Sequence, residues 1–310
     1  MDSSLQGITP HLWFDNEAKQ AAEFYCSVFP QSEISNLTVL HDTPSDTPSG
    51  DTDIITFTLA SQPFMAINAG PLFKFNPSIS FIVNFDPSRD PNARDSLNQA
   101  WGKLSEGGTA LMPLQEYPFS KWFGWIQDKY GLSWQLMLTD PEGEVRPLIT
   151  PSLMFAGKKA GSAEKALNFY LSVFRNARQG SLIRFTKGME PNKEGTIQFS
   201  DLMLEGTWIA LTDSAYEHGF DFIEAVSFIV HCADQESIDY YWQKLSAVPE
   251  AEQCGWLKDK FGVSWQIVPT AMEEMMVAGT KEQIDRMTQA FLPMKKLIIA
   301  DLEKAYKGGE

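Results

Sequence analysis

Cysteine is scarce in this chain. The 310 residues include three cysteines, at positions 26, 232 and 254, and no two of them form a C-x-x-C pair. A disulfide framework is built from an even set of cysteines, and thiolate metal sites use closely spaced pairs, so neither is indicated. We expect Cys26, Cys232 and Cys254 to pack as small hydrophobic residues.

Basic residues are also in short supply. Twenty-five Lys and Arg stand against 40 Asp and Glu, which gives a formal net charge of −15. This charge repels nucleic acid and anionic membranes, so neither is an expected partner, and it favours neutral or cationic ligands. No run reaches the roughly 18–20 apolar residues of a membrane span, and the start MDSSLQG lacks the regions of a secretory leader. We expect a cytoplasmic protein, either a monomer or a homodimer.

Common catalytic and nucleotide-binding motifs are missing as well. The sequence has no G-x-S-x-G elbow, no G-x-x-x-x-G-K-[ST] phosphate loop and no G-x-G-x-x-G dinucleotide turn. None of the four histidines lies at helical or hairpin spacing from another. We therefore expect no cofactor and no metal. The missing motifs argue against a serine hydrolase, a P-loop protein and a dinucleotide-binding enzyme.

What the chain does contain is a phrase that occurs twice. GWIQDKYGLSWQ at 124–135 and GWLKDKFGVSWQ at 255–266 are identical at eight of twelve letters. An internal duplication explains the repeat, because other pairs follow in the same order. These pairs are EFYCSVF (23–29) with NFYLSVF (168–174), SFIVN (80–84) with SFIVH (227–231), and WGKLS (101–105) with WQKLS (242–246).

Periodicity predicts the elements of each copy. ITPHLWF at 8–14 is β-rich, and Asp15 or Asn16 can cap a helix that follows it. DIITFTL at 53–59 alternates apolar and polar residues, which is typical of a strand, and a second strand follows after a tight turn. A further strand and helix, and then the closing hairpin of the repeated phrase, complete the copy. Each copy thus has the order βαβββ twice.

The duplication divides the chain into three parts. We predict a first domain at 6–145, a second at 146–270 and a helical extension at 271–310. In the extension, Thr280 and Gln283 fit a capping box, and Pro293 should break the helix. The apolar face of the last segment, formed by Leu297, Ile298 and Leu302, is expected to dock within the chain rather than on a partner subunit.

The modules, the FY-x-S-V-F helix and the closing hairpin resemble the glyoxalase/bleomycin-resistance/dioxygenase, or vicinal oxygen chelate, superfamily. More narrowly, ITPHLWFDNEAKQAAEFYCSVFP and the tail DRMTQAFLPMKKLIIADLEKAY resemble the PhnB-like family, often labelled 3-demethylubiquinone-9 3-methyltransferase. The resemblance covers nearly the whole chain. It implies an α+β fold with tandem glyoxalase-like domains, in which four βαβββ modules form two cupped mixed sheets, plus C-terminal helices.

The resemblance also locates the metal ligands of metal-using members. The matching residues here are Ile8, Ser78, Met65 and Gln135 in the first copy, and Ile149, Ala225, Ile209 and Gln266 in the second. Divalent metals prefer imidazole or carboxylate donors, so these side chains predict no metal site. The methyltransferase label gains no support, because no glycine-rich turn that could hold S-adenosylmethionine follows a strand.

The concave face of each sheet remains as a candidate small-molecule pocket. We expect the two modules of one copy to face each other, and His11 to point away from the concavity, toward the covering helix. Trp134 and Trp265 are likewise expected under the helices. The candidate pocket residues are Ile8, Leu12, Ser78, Ser80, Trp125 and Gln135 in the first copy, and Ile149, Leu153, Ala225, Ser227, Trp256 and Gln266 in the second.

Three functions fit these features. The first is a metal-free protein that binds an unidentified small molecule, for example by sequestering a toxic or antibiotic-like compound. The second is an enzyme with a metal-independent mechanism in one cleft. The third is a structural or interaction module in which side chains fill both clefts.

Overall fold

The computed structural model describes residues 7–44, 47, 49–139 and 144–309. The predicted domain boundary at 145/146 therefore directly follows residues 140–143, which lie outside the described part, as does residue 6, where the first predicted domain starts. The first copy contains β1 (Ile8–Phe14), α1 (Ala18–Val28), β2 (Glu33–Leu40), β3 (Thr52–Leu59), β4 (Gln62–Asn68), β5 (Ile79–Phe85), α2 (Ala93–Ser105), β6 (Thr109–Tyr117), β7 (Ser120–Gln127) and β8 (Ser133–Leu138).

The second copy repeats this order with one change. It contains β9 (Ile149–Phe155), α3 (Ala163–Val173), β10 (Ala177–Arg184), β11 (Ile197–Leu204), β12 (Thr207–Asp213), β13 (Val226–Cys232), α4 (Gln235–Leu245), β14 (Trp256–Lys258) and β15 (Ser264–Pro269). Three modules are βαβββ as predicted, but the fourth has two strands after its helix. Where β6 would lie, a short 3-10 turn at Pro249–Ala251 connects α4 to β14, and proline cannot donate a ladder hydrogen bond.

Two mixed sheets join the copies. Sheet 1 has the order β14-β15-β13-β1-β4-β3-β2, and sheet 2 has the order β10-β11-β12-β9-β5-β8-β7-β6. In sheet 1, β1 lies antiparallel to β13, with His11 opposite Ser227. In sheet 2, β5 lies antiparallel to β9, with Ser80 opposite Ser152. Each sheet therefore takes one module from each copy.

This pairing corrects one prediction. We expected the two modules of one copy to share a concave sheet, but the first module shares sheet 1 with the fourth, and the second shares sheet 2 with the third. The physical reason is that β1 and β5 each present an open edge, as do β9 and β13. An open edge is satisfied by pairing with another strand, here a strand of the other copy.

Within each copy, aromatic residues pack on the helix side of the strands, as part of one apolar cluster that contains residues of both copies. Tyr25 of α1 packs on Trp134 of β8, with ring centroids 5.2 Å apart. Phe81 of β5 contacts both Trp134 at 5.3 Å and Phe64 of β4 at 5.4 Å. The modules of one copy thus meet through helices and inward faces, while the two copies meet through strand edges.

The repeated phrase forms a hairpin built on a buried carboxylate. Asp259 Oδ1 accepts hydrogen bonds from the backbone N–H groups of Phe261 at 2.8 Å and Val263 at 3.1 Å. Its Oδ2 accepts from Tyr170 Oη at 2.7 Å and Trp265 Nε1 at 3.0 Å. One carboxylate thereby joins the turn, the last strand and the first helix of the copy, which explains why the phrase is repeated.

The first copy uses the same arrangement with one difference. Asp128 accepts from Tyr130 N, Leu132 N and Trp134 Nε1. Tyr25 Oη, which matches Tyr170 Oη, also lies beside the Asp128 carboxylate, but it does not make an aligned hydrogen bond within the described residues. Burial raises the pKa of both Asp128 and Asp259 above the ordinary value for aspartate, while the Trp and backbone donors act in the opposite direction.

The C-terminal helices α5 (Thr270–Ala278), α6 (Lys281–Phe291) and α7 (Ile299–Lys307) complete the fold. The capping box of Thr280 and Gln283 is confirmed, and α6 ends before Pro293 as predicted. Leu297 and Leu302 are buried within the chain, as expected, in a second apolar cluster. That cluster also contains Leu40 of β2 and Phe291 of α6, so the helices lie on sheet 1. No helix of the described ranges is long and apolar enough to cross a membrane.

Candidate functional site

The face of sheet 1 that is turned away from the helix-side core forms a cavity, which we call the first cup. Its floor is a row of polar side chains from three adjacent strands, namely His11 of β1, Ser227 of β13 and Gln266 of β15. Gln266 Nε2 donates to Ser227 Oγ at 3.0 Å, and Ser227 Oγ lies 3.4 Å from His11 Nδ1. Because strand register fixes the spacing of the row, these groups are held in place by the sheet itself.

His11 is an uncharged member of this row. It is 2% exposed, and the edge of its ring meets Trp256 of β14 with centroids 5.3 Å apart. Burial lowers the pKa of His11 to about 3, because an apolar environment disfavours the charged imidazolium. At neutral pH the ring therefore has one donor and one acceptor nitrogen.

The first cup opens through two adjoining cavities. The inner one has a volume of about 140 Å³ and the outer one about 420 Å³, and both are lined by Ile67, Trp256 and Phe291. The outer cavity has aromatic walls: Trp13 packs on Phe73 at 5.0 Å and on Trp256 at 6.3 Å. Its volume lies in the range of small-molecule sites.

The first helix of the C-terminal extension adds a carboxylate to the inner cavity. Glu273 of α5 lines it together with His11, and Glu273 Oε1 lies 3.0 Å from His231 Nδ1. Although these atoms are close, neither makes a well-aligned hydrogen bond within the described residues. On its other side, His231 Nε2 lies 2.8 Å from Thr9 Oγ1. Glu273 is therefore a half-buried carboxylate at the inner cavity, with its Oε1 turned toward His231.

The corresponding face of sheet 2, the second cup, repeats part of the row. Gln135 Nε2 donates to Ser80 Oγ at 2.7 Å, as Gln266 does to Ser227. The strand register puts Ser152 where the first cup has His11. Trp125, which matches Trp256, donates from Nε1 to Ser133 Oγ at 2.7 Å. The two cups thus share a Ser and Gln pair, but the first has an imidazole where the second has a hydroxyl.

Six of the predicted pocket residues lie on the cup faces: Ser80, Trp125 and Gln135 in the second cup, and Ser227, Trp256 and Gln266 in the first. Ser78 and Ala225 are buried directly before β5 and β13. Contact of any of these residues with a ligand stays a prediction. Trp134 and Trp265 lie in the helix-side core, as expected.

Four predicted pocket residues do not lie in a cup. Ile8, Leu12, Ile149 and Leu153 are fully buried in the helix-side core, and His11, which we expected to face the helices, lines the first cup instead. In β1 and β9 both faces are buried, so alternation shows which residues share a face but not which face is concave. The predicted concave face of β1 and β9 was therefore the wrong one of the two faces.

Two features of the site were missed. Trp13 was not recognised as a wall residue because its strand phase was misassigned. Glu273 has no local signal, since its place in the cup depends on how α5 packs after β15. Its position four residues beyond Pro269, where the last strand ends, was the one hint.

No three side chains of His, Cys, Asp or Glu come together to form a metal site within the residues that the structure describes. At the positions that the resemblance indicated, Met65 and Gln266 face the first cup, and a thioether with a carboxamide is a poor donor set for divalent metals.

A family model matches both copies. The model described as 3-demethylubiquinone-9 3-methyltransferase covers residues 6–137 and again 147–268. The chain belongs to this family. The family name describes a methyl transfer, but the turn between β1 and α1 has no glycine, and we derive no methyl-transfer step from it. No curated protein matches the chain.

Solved structures of other proteins are similar to most or to part of this chain. The PhnB protein from Bacillus cereus is 38% identical, with 98% of that chain matching 42% of this one and a TM-score of 0.37. Glyoxalase I from Zea mays is 13% identical over 87% of this chain and 96% of its own, with a TM-score of 0.52. The predicted α+β fold with tandem glyoxalase-like domains is confirmed.

Proposed function

We propose that the first cup binds a small molecule with an aromatic or apolar body, and that the protein acts as a metal-free binding protein that sequesters this compound in the cytoplasm. The observation that carries the proposal is the outer cavity, about 420 Å³ in volume, which leads to the row of His11, Ser227 and Gln266. An apolar cavity that ends in a few fixed polar groups is the usual composition of a ligand site.

The walls and the rim indicate the chemistry of the ligand. Trp13, Phe73 and Trp256 offer flat apolar surfaces to an aromatic ring. The charged residues among those described to line the outer cavity are acidic, Glu224 and Glu250. Glu224 already pairs with Lys258 Nζ at 2.7 Å, so Glu250 and the net charge of −15 favour a cationic group at the mouth of the cup.

A thermal-shift screen with planar aromatic cations tests the proposal, with acriflavine and phenyltrimethylammonium as first probes and 2-naphthoate as an anionic comparison. A ligand at 100 times its Kd stabilises the native state by about 2.7 kcal/mol. We expect cations to raise Tm more than the anion does. The Trp256→Ala variant should bind at least about tenfold more weakly, whereas Trp125→Ala, the matched change in the second cup, should keep the Kd.

Other results would contradict the proposal. If Trp125→Ala weakens binding and Trp256→Ala does not, the ligand occupies the second cup. If no compound changes Tm, both clefts behave as filled and the protein is a structural or interaction module. Near-stoichiometric metal, measured by plasma mass spectrometry on protein purified without chelator or nickel, would rule out the metal-free part.

A second candidate function rests on Glu273. Its carboxylate lines the inner cavity beside the neutral His11, so the cup holds a group that can accept a proton next to a group that can donate a hydrogen bond. This arrangement suits a metal-independent enzyme that removes a proton from the bound molecule. A ligand found in the screen would be tested for turnover by NMR. Loss of turnover with retained binding in Glu273→Gln would favour the enzyme, and an unchanged ligand would favour sequestration.

A further inference from the structure

The second cup contains an arginine that does not come from its sheet. Arg146 lies in the link between the copies, three residues before β9. It reaches over the face of sheet 2 that carries Trp208 and Ala210 of β12, whose neighbours Ile209 and Leu211 point into the opposite, helix-side core. The side chain of Arg146 is 16% exposed, so most of it is buried.

The guanidinium of Arg146 is bound by a carboxylate and an aromatic ring of the sheet, and its Nη1 also contacts Glu144 of the link, 3.0 Å from the backbone oxygen and 3.2 Å from Oε2. Arg146 Nε donates to Asp201 Oδ2 at 2.6 Å, and Nη2 donates to Asp201 Oδ1 at 3.3 Å. Its carbon Cζ lies 3.6 Å from the ring centroid of Trp208. A planar cation that is held by a carboxylate fork and stacked on an indole uses all the features that distinguish guanidinium from ammonium.

The residues around the guanidinium belong to sheet 2 and leave the space that it needs. The side chain of Asp201 is 4% exposed, and its Oδ1 also accepts from Ser181 N at 2.6 Å, which fixes the carboxylate independently of Arg146. Gly180 of β10 makes the necessary space. A Cβ at position 180 would lie 2.2 Å from Asp201 Oδ1 and 2.7 Å from both Arg146 Nη2 and Trp208 Cζ3.

We infer that Asp201, Trp208 and Gly180 form a guanidinium-binding site in the second cup, which the chain fills with its own Arg146. The part of the second cup over β10, β11 and β12 is therefore occupied in the resting protein, and an alkylguanidine or an arginine-like small molecule binds there once Arg146 is removed. This inference does not depend on the function proposed for the first cup, because it concerns the other sheet and a different ligand class.

The test uses the full chain with Arg146→Ala and two probes, ethylguanidinium and ethylammonium, in thermal-shift and calorimetric titrations. The variant itself should melt roughly 5–10 °C lower, because the buried carboxylate of Asp201 loses its ion pair with Arg146. Ethylguanidinium at 10 mM, with a Kd of about 1 mM, should then raise Tm by roughly 3 °C. Ethylammonium should have little effect, since it cannot form the fork.

Three controls define the result. The unmodified protein should not respond, because Arg146 occupies the site. Arg178→Ala removes the more exposed guanidinium, whose Cζ lies 4.6 Å from the Trp208 ring centroid, and should not create a binding site. The double variant with Arg146→Ala and Asp201→Asn should lose the response. A folded Arg146→Ala protein that ignores ethylguanidinium, or an unmodified protein that binds it equally well, overturns the inference.

A second measurement applies if Arg146→Ala does not fold. In the unmodified protein, the Nε–H group of Arg146 should give a slowly exchanging signal in nitrogen-15 NMR, since it is buried against Asp201. Gly180→Ala should abolish that signal by displacing the guanidinium. Fast exchange of every arginine Nε–H in the unmodified protein would contradict the inference.

Discussion

The imidazole of His11 in the first cup has a strongly lowered pKa. Buried on β1 beside Ser227 and Trp256, it has a pKa of about 3, whereas the ring has a pKa of about 6.5 in an unfolded chain. Between these values the unfolded state binds more protons than the folded state, so the free energy of unfolding falls as pH falls below about 6.5.

The variant His11→Gln tests this coupling. At pH 5 the unmodified protein should have lost about 2 kcal/mol of stability through His11 alone. His11→Gln should lack this part of the pH dependence, because glutamine does not titrate. Urea denaturation between pH 5 and 8 measures both curves. Gln115→Ala, at an exposed side chain of β6 that does not titrate, serves as the control and should keep the slope. Parallel curves for His11→Gln and the unmodified protein would show that His11 is not buried uncharged.

The two closing hairpins are one structural element used twice, with unequal hydrogen bonding. Asp259 accepts four hydrogen bonds, including one from Tyr170 Oη at 2.7 Å. Asp128 has the same backbone and Trp donors, but Tyr25 Oη, although it lies beside this carboxylate, makes no aligned hydrogen bond within the described residues. A buried acceptor that satisfies more donors is more costly to replace.

We expect Asp259→Asn to reduce the free energy of unfolding by about 2–4 kcal/mol and Asp128→Asn to reduce it less. An amide has one acceptor oxygen, so either the Trp265 N–H or the two backbone N–H groups of the turn lose their partner. Urea denaturation gives both values, and Asp301→Asn on the exposed start of α7 is a control that should change little. Equal or reversed losses would mean that the tyrosine bond does not distinguish the hairpins.

In the molecule as a whole, the two copies are joined through the edges of their strands. The buried apolar residues on the helix side of both copies form one cluster, and both sheets run through the two copies by way of the β1 with β13 and β5 with β9 pairs. An isolated copy would keep the aromatic contacts between its own helices and strands but expose two strand edges. Such edges pair with any suitable strand.

Separate production of residues 1–145 and 146–310 tests this arrangement. We expect each half to fold and to associate with itself through the exposed edges, and an equimolar mixture to form a one-to-one complex that restores both cups. Size-exclusion chromatography with light scattering measures the masses, and the intact chain is the reference. Two halves that stay monomeric, alone and mixed, would contradict the role of the strand edges.

The amino-acid sequence by itself determined the features that depend on near neighbours or on the repeat. The duplication predicted tandem modules and their family, and the residues of the capping box at Thr280 lie within one turn of a helix. The sequence also showed that the copies carry Ser and Gln at matching positions, but the hydrogen bond between them in each cup came from the structure. Only the tertiary structure decided which strands meet, since β1 and β13 pair residues such as Ile8 and Val230, which are more than 200 positions apart. It also decided which face of β1 is concave and that Glu273 and Arg146 each enter a cup. The reason is physical: both faces of β1 and β9 are buried, so alternation shows no difference between them, and the packing of α5 and the link is set by surfaces formed after the sheets assemble.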